Sequence, residues 1–134
     1  MKIRVALGTT LANDLLTAIK TGTAGNAVLE IYDGSAVPAI GDTITDTLLA
    51  SFDLGTTVGT VSNGVFTLSG WTDEDSAPAS GTVAWARILD QDGNTVLHMS
   101  ASGPAGSGEV KVDPEAITAG KVVSITSAVI RMPV

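Results

Sequence analysis

The chain has 134 residues, 14 acids against 7 bases, and no cysteine. A formal net charge of −7 argues against a direct nucleic-acid role, which needs a basic footprint. Without cysteine there is no disulfide framework, no thiolate nucleophile and no cysteine-ligated metal.

The length is that of one domain, read as a single unit over residues 1–134 with an N-terminal arm at Met1–Gly8 and a C-terminal tail at Arg131–Val134. Hydrophobic residues make up 44% and charged residues 16%, a balance too apolar for intrinsic disorder. β-branched residues recur in short runs separated by Gly, Asp and Asn, which points to a mainly β domain. No apolar run approaches the roughly 20 residues of a membrane span. The N-terminus has no long apolar core and meets an acid at Asp14, so neither a signal peptide nor a membrane partner is expected.

Lys2–Leu7 reads as a short strand. Thr10–Lys20 reads as the one helix: Leu11, Leu15, Leu16 and Ile19 form a stripe, Thr9 or Thr10 is the N-cap, and Lys20 with Gly22 is the stop. A helix this short must dock, on its own domain or on a neighbouring subunit. Ala27–Asp33 is a strand with Val28, Glu30 and Tyr32 on one face and Leu29 and Ile31 on the other. After a loop at Gly34–Asp42, Ile44–Leu54 is an amphipathic strand; Gly55–Asn63 reads as loop and Gly64–Ser69 as strand.

The best-supported local feature is Thr82–Ala101. Two apolar runs, Thr82–Leu89 and Thr95–Ala101, flank Asp90-Gln91-Asp92-Gly93-Asn94, whose residues tolerate the positive φ of a hairpin turn. Val83, Trp85, Arg87 and Leu89 share one face, and Ala84, Ala86 and Ile88 the other. Before this hairpin, the head of Gly70–Gly81 reads as strand, carrying Trp71 toward the core, and its tail as the most loop-like part of the chain. After it, Ser102–Gly108 is flexible by composition, Glu109–Asp113 alternates, Pro114–Gly120 turns, and Lys121–Met132 is a long final strand. About eight short strands at even spacing favour an antiparallel β-sandwich, jelly-roll or immunoglobulin-like, with one short N-terminal helix.

Candidate chemistry is sparse. The Asp90–Asn94 cluster superficially resembles a calcium loop but lacks the EF-hand glycine and glutamate, and suits a turn better. Asp73-Glu74-Asp75 offers hard oxygen ligands for a surface cation, or is a solvated loop. His98, the only histidine, has no nucleophile elbow in the sequence and no recognisable metal partner. Gly103, Gly106 and Gly108 do not build a phosphate cradle. Trp71 and Trp85 are core residues first and a carbohydrate platform second. No catalytic, cofactor-binding or metal residue is assigned, no cofactor is expected, and the chain is read as no enzyme.

Several segments recur together: Thr21–Pro38, Asp46–Leu54 (DTLLASFDL), Asn63–Leu68 (NGVFTL), Ser80–Val96 (SGTVAWARILDQDGNTV) and Ile117–Ile130 (ITAGKVVSITSAVI). In this order they resemble a group of small structural proteins of tailed bacteriophages; Met1–Gly8 departs from the pattern. The resemblance implies a virion component, most simply a capsid decoration or cement protein that bridges and stabilises capsomers. It implies the major capsid protein as partner and a homo-oligomer, with a trimer favoured. The place is the outer capsid surface, after a soluble stage in the host cytoplasm. The alternatives are a tail or head–tail connector part, or a carbohydrate- or cell-surface-binding module.

Overall fold

The structure, a computed structural model, describes residues 1–134. In chain order it comprises α1 (Val5–Ile19), β1 (Val28–Tyr32), β2 (Leu48–Asp53), β3 (Gly59–Ser62), β4 (Val65–Leu68), β5 (Gly81–Thr82), β6 (Trp85–Leu89), β7 (Thr95–Ser102), β8 (Val110–Asp113), β9 (Ala116–Ile117) and β10 (Ser124–Arg131). Eight strands form one sheet in the order β2-β1-β6-β7-β8-β10-β4-β3, and β5 and β9 pair as a short ribbon. The architecture is mainly β with one N-terminal helix. No helix is long and apolar enough to cross a membrane.

The connections show that the sheet curls. Its edge strands, β2 and β3, are joined by Leu54–Val58 alone. A flat sheet of this width would hold its edges about 34 Å apart, whereas so short a link spans at most about 20 Å. The link is tight enough to place Val58, a β-branched residue, at φ 63, a conformation such side chains rarely adopt. One buried cluster of 24 residues draws on both halves of the sheet, with Leu29, Phe52 and Ile88 from one and Phe66, Val110 and Ile125 from the other.

The expected antiparallel sheet is mixed, because β7 and β8 run parallel over Ala101↔Val110 and Ser102↔Lys111. A parallel pair normally needs a long crossover. Here it is only two residues deep, and Gly103–Glu109 doubles back beside β7. Gly108 N–H donates to Ser102 Oγ at 2.9 Å and Glu109 N–H to Ser100 Oγ at 3.0 Å. A Cβ on Gly108 would stand 2.6 Å from the Ala101 carbonyl carbon. Of the glycines read as a flexible linker, Gly108 therefore serves close backbone approach, while Gly103 and Gly106 lie against the Glu115 and Ser102 side chains.

The helix starts at Val5, so Lys2–Leu7 is no strand and neither Thr9 nor Thr10 is the N-cap; Arg4 holds that position without a side-chain bond. The buried line is Gly8, Ala12 and Ile19, with Leu15 and Leu16 packed at its side. The helix docks on its smallest residues. Gly8 lies against Val134, Met132 and the backbone of Gly64, and Gly64 N–H donates to Thr9 Oγ1 at 3.0 Å. This contact overrides the low helix propensity of the Val, Gly and Thr residues at this end. It also leaves Leu11 outward, 42% exposed, where the sequence places it in the buried stripe. At the other end Gln91 N–H donates to Thr21 O at 2.9 Å, so α1 spans from the β3–β4 turn to the β6–β7 turn. The termini lie together: Ile3 N–H donates to Pro133 O at 2.8 Å.

The β1 faces match expectation, and β6 and β7 pair as the expected hairpin. The expected run Thr82–Leu89 is broken: Gly81–Thr82 pairs with β9, Val83 N–H donates to Glu115 O, and β6 begins only at Trp85. Val83 therefore lies in the core with Ala86 and Ile88 and does not share the face of Trp85 and Arg87. The strand expected at Ile44–Leu54 begins only at Leu48, and Leu49 bulges between the pairs Ile31↔Ala50 and Tyr32↔Leu48, which turns both Leu49 and Ala50 inward. The expected loop at Gly55–Asn63 contains β3. The two-residue turn Asn63-Gly64, with φ 51 and 76, joins it to β4, the geometry favoured in tight hairpins. Trp71 reaches the core edge without a strand. The final strand begins at Ser124, because Val123 instead exchanges backbone bonds with Glu74.

Gly59 packs where any Cβ would run into the Thr67 carbonyl oxygen and lie 2.9 Å from Leu68 Cα. Gly59→Ala should therefore cost about 1–3 kcal/mol, read as a lower Tm or denaturant midpoint. Gly25→Ala, with nothing within 4 Å, should stay within about 0.5 kcal/mol of the parent.

Candidate functional site

The densest polar and aromatic cluster lies on the sheet face opposite the core. The β1–β6 register sets Glu30 opposite Arg87 and Tyr32 opposite Trp85, and β7 adds His98 opposite Arg87. Alternation along each strand puts all five side chains on one face. Opposite charges and paired aromatics at facing positions are the stabilising units of such a sheet.

Arg87 Nε donates to Glu30 Oε1 at 2.8 Å, and Arg87 Nη2 donates to the Tyr32 hydroxyl at 2.9 Å. That hydroxyl donates in turn to Glu30 Oε1 at 3.0 Å. The Arg87 and Glu30 side chains are 21% and 14% exposed, so the pair is largely withdrawn from water. Tyr32 stacks on Trp85 with ring centroids 4.5 Å apart, and His98 tilts against Trp85 at 4.9 Å.

The loop between β1 and β2 covers this platform. Asp33 N–H donates to Thr47 O at 3.1 Å, and Thr47 N–H donates to Asp33 Oδ1 at 2.7 Å, closing the loop at its base. Trp85 Nε1 donates to Asp46 Oδ2 at 2.8 Å. His98 Nδ1 lies 2.8 Å from Pro38 O, which requires the proton on Nδ1, since a carbonyl only accepts. Gly34 sits against the Asp46 carboxylate where a Cβ would be 2.6 Å from Oδ2. Beneath the loop Trp85 is fully buried, while Val37 and Ile40 project from it, 43% and 58% exposed.

Burial, then the Glu30 charge and hydrogen bond, hold the Tyr32 hydroxyl pKa above its ordinary 10.0, with Arg87 opposing. Glu30 and Tyr32 hold the Arg87 guanidinium above its usual value against the effect of burial. The cluster's donors and acceptors are largely spent on one another and on the loop. What it does chemically is fix a loop and present its tip.

The residues singled out in the sequence are dispersed. Asp90 and Asp92 serve the turn: Asp90 Oδ1 accepts from the Asp92 and Asn94 N–H groups at 2.9 Å each, and Asp92 Oδ1 accepts from Thr23 and Ala24. Hydrogen bonding from Asn94 foremost lowers the Asp90 pKa. The Asp73–Asp75 run splits, with Asp73 Oδ2 accepting from Ser124 Oγ at 3.1 Å and Glu74 Oε2 from Ser51 N–H at 3.1 Å. No three His, Asp or Glu side chains converge as a metal site would. Of the two tryptophans, Trp85 is the buried one and Trp71 packs at the core edge. The Glu30–Tyr32–Arg87 network was not foreseen. Its signal was available in the shared faces of the two strands, but the pairing of β1 with β6 was not.

Tyr32 is the only tyrosine, so the near-ultraviolet phenolate titration reports it alone. Its midpoint should lie above 10.0, and Glu30→Gln should bring it down only partway, because burial remains. With the folded pKa raised, the stabilising contribution is complete below about pH 10 and is lost as pH rises through the folded pKa. Arg87→Met strands the Glu30 carboxylate and should cost about 1–3 kcal/mol in denaturant melts. The double change with Glu30→Gln should recover part of that loss.

Comparison with protein-family models, with curated protein sequences and with solved structures finds no match to this chain.

Proposed function

We propose that the chain is a non-enzymatic structural protein of a tailed-phage virion, a capsid decoration protein that binds the major capsid protein and its own copies, in trimers at symmetric sites. The ordered sequence resemblance to small phage structural proteins is the starting point. We further read the two halves of the curled sheet as the facing layers of a sandwich.

The observation that carries an adhesive role is where large apolar side chains meet water. Seven are exposed, and four of them, Met1, Val5, Leu7 and Leu11, fall in the first eleven residues. They flank the paired termini along a helix whose only charged residue is Asp14. Completing the burial of a half-exposed Leu or Val contributes on the order of 1 kcal/mol, so a few such side chains give a modest contact. Repetition over a symmetric shell converts modest contacts into retention. The mounted tip at Val37 and Ile40 offers a second contact. A carbohydrate platform fits less well, because Trp85 is sealed under its loop. A scarce tail component is separated from a decoration protein by copy number.

Quantitative mass spectrometry of purified particles should find this chain within a small ratio of the major capsid protein. A handful of copies per particle, or none, contradicts the decoration role. Leu7→Glu with Leu11→Glu should shift the oligomer toward monomer in light scattering while leaving the melting temperature within a few degrees, since neither side chain is in the core.

A further inference from the structure

A groove lies away from the aromatic platform, between β8, β10 and the Gly103–Glu109 loop. It encloses about 420 Å³ and is lined by Ser107, Glu109, Lys111, Ser127, Val129 and Arg131, with Gly108 at its wall. Val110, Val112 and Ala128 point the other way into the core, so the groove is on the outer face of the sheet. It exists because β8 pairs with β10 only as far as Val110↔Ala128. Beyond that the chain swings away toward β7, while β10 continues against β4 through Arg131↔Val65.

The register orders the charges along the groove. Lys111 faces Ser127, Val129 N–H donates to Glu109 O at 3.1 Å, and Arg131 lies beyond. The sequence of charge is positive, negative, positive. The two cations are separated along β10 by the four-residue step from Ser127 to Arg131, about 13 Å of extended chain. The chain's one ion pair is Arg87 with Glu30; Lys111 and Arg131 enter none, in a protein where acids outnumber bases 14 to 7. The Ser107 and Ser127 hydroxyls make no hydrogen bond within the protein, whereas Glu109 Oε1 accepts from Ser100 N and Oγ at 3.4 and 3.3 Å. Glu109 is thus held by Ser100 and forms no ion pair with Lys111 or Arg131.

A compact dianion would meet one cation at a time with Glu109 close by. An extended peptide has the same rise per residue as β10 and can match the whole row. We propose that this groove binds an acidic, extended segment of a partner protein, with carboxylates four residues apart over Lys111 and Arg131 and a basic or polar residue between them over Glu109. The contact is made by side chains on a sheet face, because β10 is flanked by strands on both sides. Charge matching of this kind selects partners and speeds encounter, and weakens with salt. The inference does not rest on the virion reading.

The test is a titration of the full, isotope-labelled chain, followed by amide NMR, with a capped peptide bearing terminal glutamates, a central lysine and threonines between them. The controls are the charge-reversed peptide and inorganic phosphate. The expected result is a saturable shift confined to Lys111, Ser127, Val129, Arg131 and the 103–109 loop, absent with the reversed peptide. Lys111→Gln with Arg131→Gln should weaken binding roughly tenfold or more, and Glu109→Lys should weaken it by repelling the central lysine. Lys111→Arg keeps the charge and should keep the binding, which separates loss of the site from loss of the fold. Shifts scattered over the surface, binding indifferent to the double substitution, or phosphate binding as tightly at the same amides would each overturn the proposal.

Discussion

The link between β2 and β3 is the constraint on which the rest of the molecule depends. Because Leu54–Val58 joins the two edges of an eight-stranded sheet, the sheet must curl, and its apolar faces must meet in one core. The seam is made by the segment after β4. Thr72 N–H donates to Asp53 O at 3.1 Å, and Glu74 accepts from Ser51 N–H through its carboxylate while trading backbone bonds with Val123. An open sheet edge is a template for unwanted pairing; here the β2 edge is covered by the chain's own loop. The seam stores some strain at Val58, set against the full burial of that side chain.

With the apolar side turned inward, the surfaces left to solvent lie on the outer face and at the ends. The outer face holds two different surfaces. Near β1 and β6 the polar groups are spent on each other and on anchoring the 34–47 loop, whose apolar tip faces water. Near β8 and β10 the cations are unspent and the groove is open. The helix end adds a third, apolar surface where the termini meet. The self-satisfied cluster around Arg87 ties β1 to β6 across the outer face that carries the first of these surfaces.

The strand content, the single helix and the Asp90–Asn94 turn could be read from the residues, because alternation and turn chemistry are local. The faces of β1 and β6 were equally legible. What stayed hidden was non-local. Gly8 and Ala12 became the helix's contact line only because Val134, Met132 and Gly64 lie against them, which no helical wheel of apolar residues shows. The Asn63-Gly64 turn carried a hairpin signal, but a Gly- and Thr-rich stretch before it obscured β3. Gly108 looks like part of a linker in sequence, yet its missing Cβ is what lets the chain entering β8 return beside the β7 backbone. The polar network of Glu30, Tyr32 and Arg87 needed the β1–β6 register, and the groove needed the divergence of β8 from β10; neither is written in one strand alone.

The most direct test of the curled scaffold is residue-resolved amide hydrogen exchange at the seam. If the segment after β4 seals the β2 edge as described, the Thr72 and Ser51 amides exchange only on opening of the whole domain, as slowly as Leu29 and Ile88 in the core. Exchange of both at the rate of the exposed Gly41 loop would mean that the β2 edge is open in solution, and the account of a curled sheet sealed by its own loop would be wrong.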